Sequence, residues 1–224
     1  MNELSKNIGE YVYVKLIGDK RVKGILIDVG NDIVVIYNGK DYIYISLYHI
    51  QYYKFMASFV AEIQKPETDS NSIIKTESPS ISLRKVLSTS KGIFTEVYVA
   101  GDYSIHGYVT SVLNDYLVFY SPVYKIVYIS LKHLKWLIPY QENQIPYALN
   151  KNELSVNPLN VTLARTFEEQ LIKMSGKMMM FDLGEHANKI GKMTKIEDSH
   201  IELVKARDEK IYLNIQHVKS VHFP

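Results

Sequence analysis

Short runs of alternating hydrophobic and polar residues dominate this chain. In the first run, Val12, Val14 and Leu16 alternate with more polar neighbours, which is the pattern of a strand with one buried face. Turn residues separate this run from the next ones, and Asn38-Gly39 is a hairpin signal. Residues 11–53 therefore predict five short strands.

The same pattern occurs three times along the chain. Each copy has two glycines 15 residues apart, followed after 25 or 26 residues by a histidine. These anchors are Gly9, Gly24 and His49, then Gly92, Gly107 and His133, then Gly176, Gly191 and His217. A repeat in register predicts three copies of one module.

The second glycine of each copy falls inside a predicted strand, where glycine weakens the strand. A sharp bend or a close backbone approach explains such a residue. Five short, bent strands favour closure into a small barrel over a flat sheet. The sequence thus predicts a mainly β fold with short α-helices: three tandem five-stranded small barrels, each preceded by a short helix.

Helical spacing precedes the second and third copies. Leu163, Phe167, Leu171 and Met174 share one helical face, and Thr166 stands three residues before Glu169 as in a capping box. The predicted organisation is module 1 at 1–56, a polar Pro/Ser-rich linker at 57–81, module 2 at 82–140, a connection at 141–160 and module 3 at 161–224.

Composition excludes several function classes. The chain has no Cys, which excludes disulfides, thiolate catalysis and Cys-based zinc sites. Its first residues lack a basic region followed by an apolar core, and no stretch approaches 18 apolar residues. We therefore expect synthesis in the cytoplasm without a signal peptide, and no membrane insertion.

Charge argues against a dedicated nucleic-acid platform. The net charge is +2 overall. The segments 8–56, 91–140 and 161–224 each carry +1, without the basic cluster that phosphate binding requires.

The repeated histidines, His49, His133 and His217, leave two alternatives open. One histidine per module would suit a metal or RNA site around a pseudo-threefold axis. The favoured alternative is that each histidine caps the turn before strand five by bonding backbone. Zinc-type spacing, a phosphate loop and a Ser-His-Asp order are all missing from the sequence. We thus expect no enzyme, no catalytic residue, no metal and no cofactor.

Aromatic residues on the last strand of modules 1 and 2 are the other candidates. Tyr52, Tyr53 and Trp136 either form a partner-facing patch or pack between modules. Tyr44, Tyr128 and Tyr212 occupy one shared position, which we interpret as a half-buried strand aromatic rather than a base-stacking surface.

At the level of pattern, all three modules resemble the Sm-like family, which includes bacterial Hfq, and this resemblance implies small barrels of the Sm-like or SH3-like type. The resemblance rests on Val12-x-Val14-x-Leu16-x-Gly18, then Gly24, then Asp32-x-Val34 and the closing His49-Ile50. It implies barrels whose fourth and fifth strands are edges, able to pair head to tail into half of a ring or into an open array. Where the family has a Lys-His pair just before the last strand, module 1 has Tyr48-His49, with the histidine displaced by one residue. Only module 2 has a Lys-His pair, Lys132-His133, and it is in the displaced register, so the family's RNA pocket does not carry over.

Module 2 also resembles a family of small uncharacterised Bacillus proteins, several of them spore-coat associated. The residues are Gly107-Tyr108-Val109, Tyr128 to Leu131, and His133 to Trp136. This resemblance implies a structural or assembly protein of the spore surface, in the coat or exosporium, with other spore-layer proteins or itself as partner. The alternative is an Sm-like RNA-binding protein.

Overall fold

The structure is a computed structural model, which describes residues 3–56, 63, 81–99, 104–141, 144, 146–150 and 162–224. This part of the chain is mainly β with short helices, which confirms the predicted class. The predicted linker 57–81 and connection 141–160 lie mostly outside the described residues. In the described part, no helix has the length and apolar character needed to cross a membrane.

Each predicted module contains a short helix followed by five strands. The helices are α1 (Glu3–Lys6), α2 (Leu83–Thr89) and α3 (Phe167–Lys173). The strands of module 1 are β1 (Tyr11–Leu16), β2 (Arg21–Val29), β3 (Ile33–Tyr37), β4 (Tyr42–Ser46) and β5 (Ile50–Phe55). Those of module 2 are β6 (Phe94–Tyr98), β7 (Ile105–Val112), β8 (Tyr116–Ser121), β9 (Lys125–Ser130) and β10 (Trp136–Pro139). Those of module 3 are β11 (Met178–Phe181), β12 (Ile190–Glu197), β13 (His200–Val204), β14 (Lys210–Asn214) and β15 (Ser220–His222).

The chain divides into two compact units whose boundaries run through predicted module 2. Unit 1 comprises Met1–Tyr98 and Lys135–Gln144, and unit 2 comprises Val99–Leu134 and Ile145–Pro224. Unit 1 holds an antiparallel sheet in the order β6-β10-β4-β3-β2-β1-β5, and unit 2 holds one in the order β14-β13-β12-β11-β15-β9-β8-β7. The division into three modules stays a prediction.

The prediction of three closed barrels is not confirmed, because the sheet is open. In module 1 the order is β5-β1-β2-β3-β4, and the outer edge of β4 pairs with β10 of module 2 instead of returning to β5. Module 3 is open as well, because its strand four, β14, is bonded only to β13 among the described strands. The strands bend as predicted, but their edges pair between modules.

The helices begin where the sequence predicts caps. The Thr166 side chain accepts a hydrogen bond from the Glu169 backbone N–H, and the Glu169 carboxylate accepts one from the Thr166 N–H, which completes the capping box. The Ser82 side chain likewise accepts from the Lys85 N–H at the start of α2. Each helix buries one apolar face; in α2 this face is Leu83, Val86 and Leu87.

Close backbone approach explains the glycines inside strand two of each module. A Cβ at Gly24 or Gly107 would overlap the carbonyl oxygen of Tyr37 or Tyr120 on the paired strand. A Cβ at Gly191 would lie 2.9 Å from the Val204 carbonyl oxygen. A register shift follows the glycine in all three second strands, so each strand bends where the sequence predicts.

Candidate functional site

The first module junction lies in unit 1, where β10 covers the edge of β4. Trp136 stands opposite Ile45 and Leu137 opposite Tyr44, and the Ser46 N–H donates to the Lys135 carbonyl at 2.9 Å. Every residue of β4 is buried as a result. An edge strand that the repeat would leave open is thus closed by the next module.

The second junction, in unit 2, repeats this pairing in the same register. Ser220 stands opposite Ile129, Val221 stands opposite Tyr128, and the Ser130 N–H donates to the Lys219 carbonyl at 3.0 Å. Each of these residues is 84 positions after its counterpart in the first junction. The two junctions are therefore copies of one interface between strand four of a module and strand five of the following one.

A helix cap accompanies each strand pairing. The Asp32 carboxylate accepts a hydrogen bond from the Leu83 N–H at 2.8 Å, and the Asp115 carboxylate accepts one from the Phe167 N–H at 2.8 Å. The turn between strands two and three of one module thereby satisfies an otherwise unpaired N–H group at the start of the next helix. The interface joins the helix as well as the sheet of the following module.

The side chains at the junctions form core rather than surface. Tyr128 of module 2 is 0% exposed and belongs to the core cluster of module 3 with Phe167, Phe181 and Val221. Its counterpart Tyr44 is 2% exposed. In the opposite direction, Trp136 packs against the core of module 1. Both tyrosines of strand four are therefore buried where the next module covers that strand.

Two strands are left without such a partner within the described residues. β5 pairs only with β1, and β14 pairs only with β13. The β14 side chains alternate between half-buried and exposed, unlike those of fully buried β4. Tyr212 on β14 is 59% exposed and Tyr52 on β5 is 53% exposed. We call β5 and β14 the two open edges.

The repeated histidines each end the 3₁₀ turn that leads into strand five. His49 is buried, His133 is half-buried and His217 is exposed. His133 Nε2 lies 2.9 Å from the carbonyl oxygen of Gln216, so this histidine bonds backbone of the following module. Burial lowers the pKa of His133. In the described ranges, no three His, Asp or Glu side chains are grouped so as to hold a metal ion.

The predicted aromatic patch is divided between two environments. Tyr52 is exposed on β5 and stacks on Tyr13 at 6.1 Å between ring centroids, while Tyr53 is half-buried against Phe55. Trp136 instead stacks on Tyr98 at 4.0 Å inside the first junction. Trp136 also packs against the core of module 1, and the choice between a partner-facing patch and packing between modules stays a prediction.

The sequence patterns missed the role of β14 and of the junction aspartates. The sequence predicts a half-buried Tyr212 like its two counterparts, yet Tyr212 is 59% exposed. The repeat itself carried a usable signal, since module 3 is the only predicted module with no following copy in this sequence. Asp32 and Asp115 recur in register within turns, which indicated a turn but not a helix cap.

Comparison with known proteins places these features in a family. A family model described as the YwrJ third domain matches residues 166–221, which lie within predicted module 3. The protein named Uncharacterized protein YwrJ, from Bacillus subtilis strain 168, is 43% identical over 226 residues and covers 100% of both chains.

A second relative is more distant. Spore coat protein B of the same strain is 26% identical over 141 residues, which are 63% of this chain and 35% of that protein's length. None of these matches concerns the Sm-like family, so that resemblance stays an interpretation. The full-length match, in contrast, is decisive: this chain belongs to the YwrJ family.

Proposed function

We propose that this protein is a non-enzymatic structural subunit of the bacterial spore surface, in the coat or exosporium, and that it assembles through its two open edges. The observation that carries the proposal is the repeated junction. The chain already uses strand four and strand five to join modules twice, and among the described strands one of each kind, β14 and β5, has an unpaired edge.

Edge pairing is a general way to join β-proteins, because an edge strand presents unpaired N–H and C=O groups to any strand of matching geometry. The open edges also carry exposed aromatics, Tyr52 and Tyr212, a residue type enriched where interfaces form. The partners that we propose are other copies of the chain and other spore-layer proteins.

The distant relative supports the spore location. Spore coat protein B is named for a spore layer, and its match covers more than half of this chain. We propose the same location here, with the protein made in the cytoplasm and deposited on the spore. The Sm-like plan of five strands, with strands four and five as edges, is proposed only as the ancestry of the modules.

The test has two parts. Light scattering coupled to size exclusion, over a rising range of protein concentration, should show association, and electron microscopy should show ordered particles or arrays. Immunogold labelling of spores from a sporulating Bacillus strain that expresses the tagged protein should place gold particles on the surface layers. A strict monomer whose label stays in the cytoplasm would overturn the proposal.

The same preparation tests the RNA alternative. A fluorescent single-stranded RNA oligonucleotide should show no anisotropy change at low salt, because no module carries a basic surplus above +1. Salt-dependent binding of that oligonucleotide would favour the Sm-like RNA-binding function instead.

A further inference from the structure

We infer that the partner of each open edge is a second copy of this chain, with β14 of one copy antiparallel to β5 of the next in the register of the internal junctions. This inference rests on the proposed function, and it adds the partner, the polarity and the register. Such contacts join unlike edges and are therefore head to tail.

The strands that pair at the internal junctions indicate which strands pair between copies. Within the repeat, β5 is the counterpart of β10 and β15, which both cover a strand four. β14 is the counterpart of β4 and β9, which are both covered by a strand five. The chain thus ends with one edge of each complementary kind, and a second copy supplies the match for both.

The register follows from the two junctions that are present. Trp136 opposite Ile45 and Ser220 opposite Ile129 correspond to Tyr52 opposite Leu213 of the neighbouring copy. The N–H groups of Ser46 and Ser130 donate to carbonyls of the covering strand. The Asn214 N–H would donate to the Gln51 carbonyl by the same rule.

Side-chain burial agrees with this register. Tyr128 and Tyr212 hold the same position, yet Tyr128 is 0% exposed in the core of the following module and Tyr212 is 59% exposed. Tyr52 is the counterpart of Trp136, which packs against the core of the preceding module. Pairing of the open edges would bury both exposed tyrosines in places where the repeat already buries their counterparts.

Charge disfavours the nearest wrong register. In the inferred pairing Lys54 faces Ile211, and Lys210 faces Phe55. A slip of one residue places Lys54 opposite Lys210. Like charges directly opposite destabilise a strand pair, and such a slip also moves every apolar side chain to the wrong face.

Cysteine trapping tests the register directly, because the chain has no cysteine of its own. Tyr52→Cys and Leu213→Cys proteins are mixed and oxidised with copper phenanthroline. The expected product is a disulfide-linked dimer, since opposite Cβ atoms in a strand pair lie within disulfide reach. Tyr212→Cys replaces Leu213→Cys in the matched control, where the two thiols lie on opposite faces of the sheet and should not cross-link.

A second measurement removes the risk that Leu213→Cys misfolds. Tyr52→Glu and Tyr212→Glu change exposed side chains, and each should weaken self-association by more than ~10-fold in light scattering. Tyr147→Glu is the control, because Tyr147 is 52% exposed and lies outside both open edges. Equal effects of all three substitutions would overturn the inference.

The outcomes separate this inference from the proposed function. Association without the Tyr52–Leu213 cross-link, or with equal cross-linking in the control, overturns the edge register and leaves assembly through another surface. Absence of self-association overturns the inference while labelling on the spore surface still supports a structural role with other partners.

Discussion

Equal substitutions at equivalent tyrosines test whether β14 is an open edge. Tyr128 and Tyr212 hold the same position in strand four of modules 2 and 3, and both belong to unit 2. Tyr128 is 0% exposed, whereas Tyr212 is 59% exposed and donates a hydrogen bond to the Glu202 carboxylate at 3.1 Å. Truncation to Ala at each site therefore removes the same atoms from two different environments.

Burial sets the expected magnitudes. A tyrosine that is fully buried removes about 200 Å² from water, worth about 5 kcal/mol at ~25 cal/mol per Å² as an upper estimate. Aromatic-to-Ala substitutions in cores cost about 3–5 kcal/mol, so we expect about 4 kcal/mol for Tyr128→Ala. Tyr212 buries about two-fifths of its surface, which gives about 2 kcal/mol for Tyr212→Ala.

Urea unfolding followed by far-ultraviolet circular dichroism measures the difference. With a slope of about 2.5 kcal/mol per M, the midpoint should fall by about 1.6 M for Tyr128→Ala and by about 0.8 M for Tyr212→Ala. The measurement uses protein diluted below the concentration at which light scattering detects association. Equal shifts would refute the reasoning, because they would mean that Tyr212 is covered as deeply as Tyr128.

Three further outcomes follow from packing, buried charge and protonation. Gly107→Ala should lower the free energy of unfolding more than Gly191→Ala, by about 1–2 kcal/mol, because the added Cβ overlaps a carbonyl oxygen more deeply. Thermal unfolding measures this difference, and equal losses would exclude close approach as the cause. Asp182→Ala should lower the free energy of unfolding by about 3 kcal/mol in urea, because the buried carboxylate accepts hydrogen bonds from two backbone N–H groups and pairs with a lysine. Asp182→Asn should cost less, because the amide keeps one acceptor oxygen. No loss of stability in either variant would contradict this role. Burial lowers the pKa of His133 and His222 below the ordinary 6.5. The folded state therefore binds fewer protons than the unfolded state, and stability should be lost as pH falls from about 6.5 toward the folded pKa values. A plot of urea midpoint against pH, from about pH 8 to about pH 5, should have a flatter slope for His222→Leu, and an unchanged slope would contradict the assignment.

Much of the local structure followed from the repeat. Alternation and turn residues predicted five strands in each copy, and the capping pattern at Thr166 and Glu169 predicted the start of α3. The strand glycines predicted a bend or a close approach, and both are present at Gly24, Gly107 and Gly191. These features depend on neighbours in sequence or on one partner strand within the same module, so the residue pattern records them.

Pairing between modules was not predictable from the same patterns. β4, β9 and β14 share one apolar pattern around a common tyrosine, yet β4 is fully buried and β14 alternates between half-buried and exposed. What differs is the strand on the outer side, which comes from a distant segment. For this reason the sequence leaves open whether Trp136 faces a partner or packs between modules, and it predicts closed barrels although the sheet is open.

The two internal junctions also bound the strength of the inferred contact between copies. Inside the chain, a linker holds strand five near strand four, and such tethering gives an effective concentration in the millimolar range for short flexible linkers. Two separate copies must instead lose translational and rotational freedom when they pair. The carboxylates of Asp32 and Asp115 cap the next helix at the internal junctions. Module 3 has Ser199 at this position and therefore lacks that carboxylate. Pairing of the open edges should therefore be weaker than either internal junction and should depend on concentration, which suits a subunit that stays dispersed after synthesis and assembles where a surface layer accumulates it.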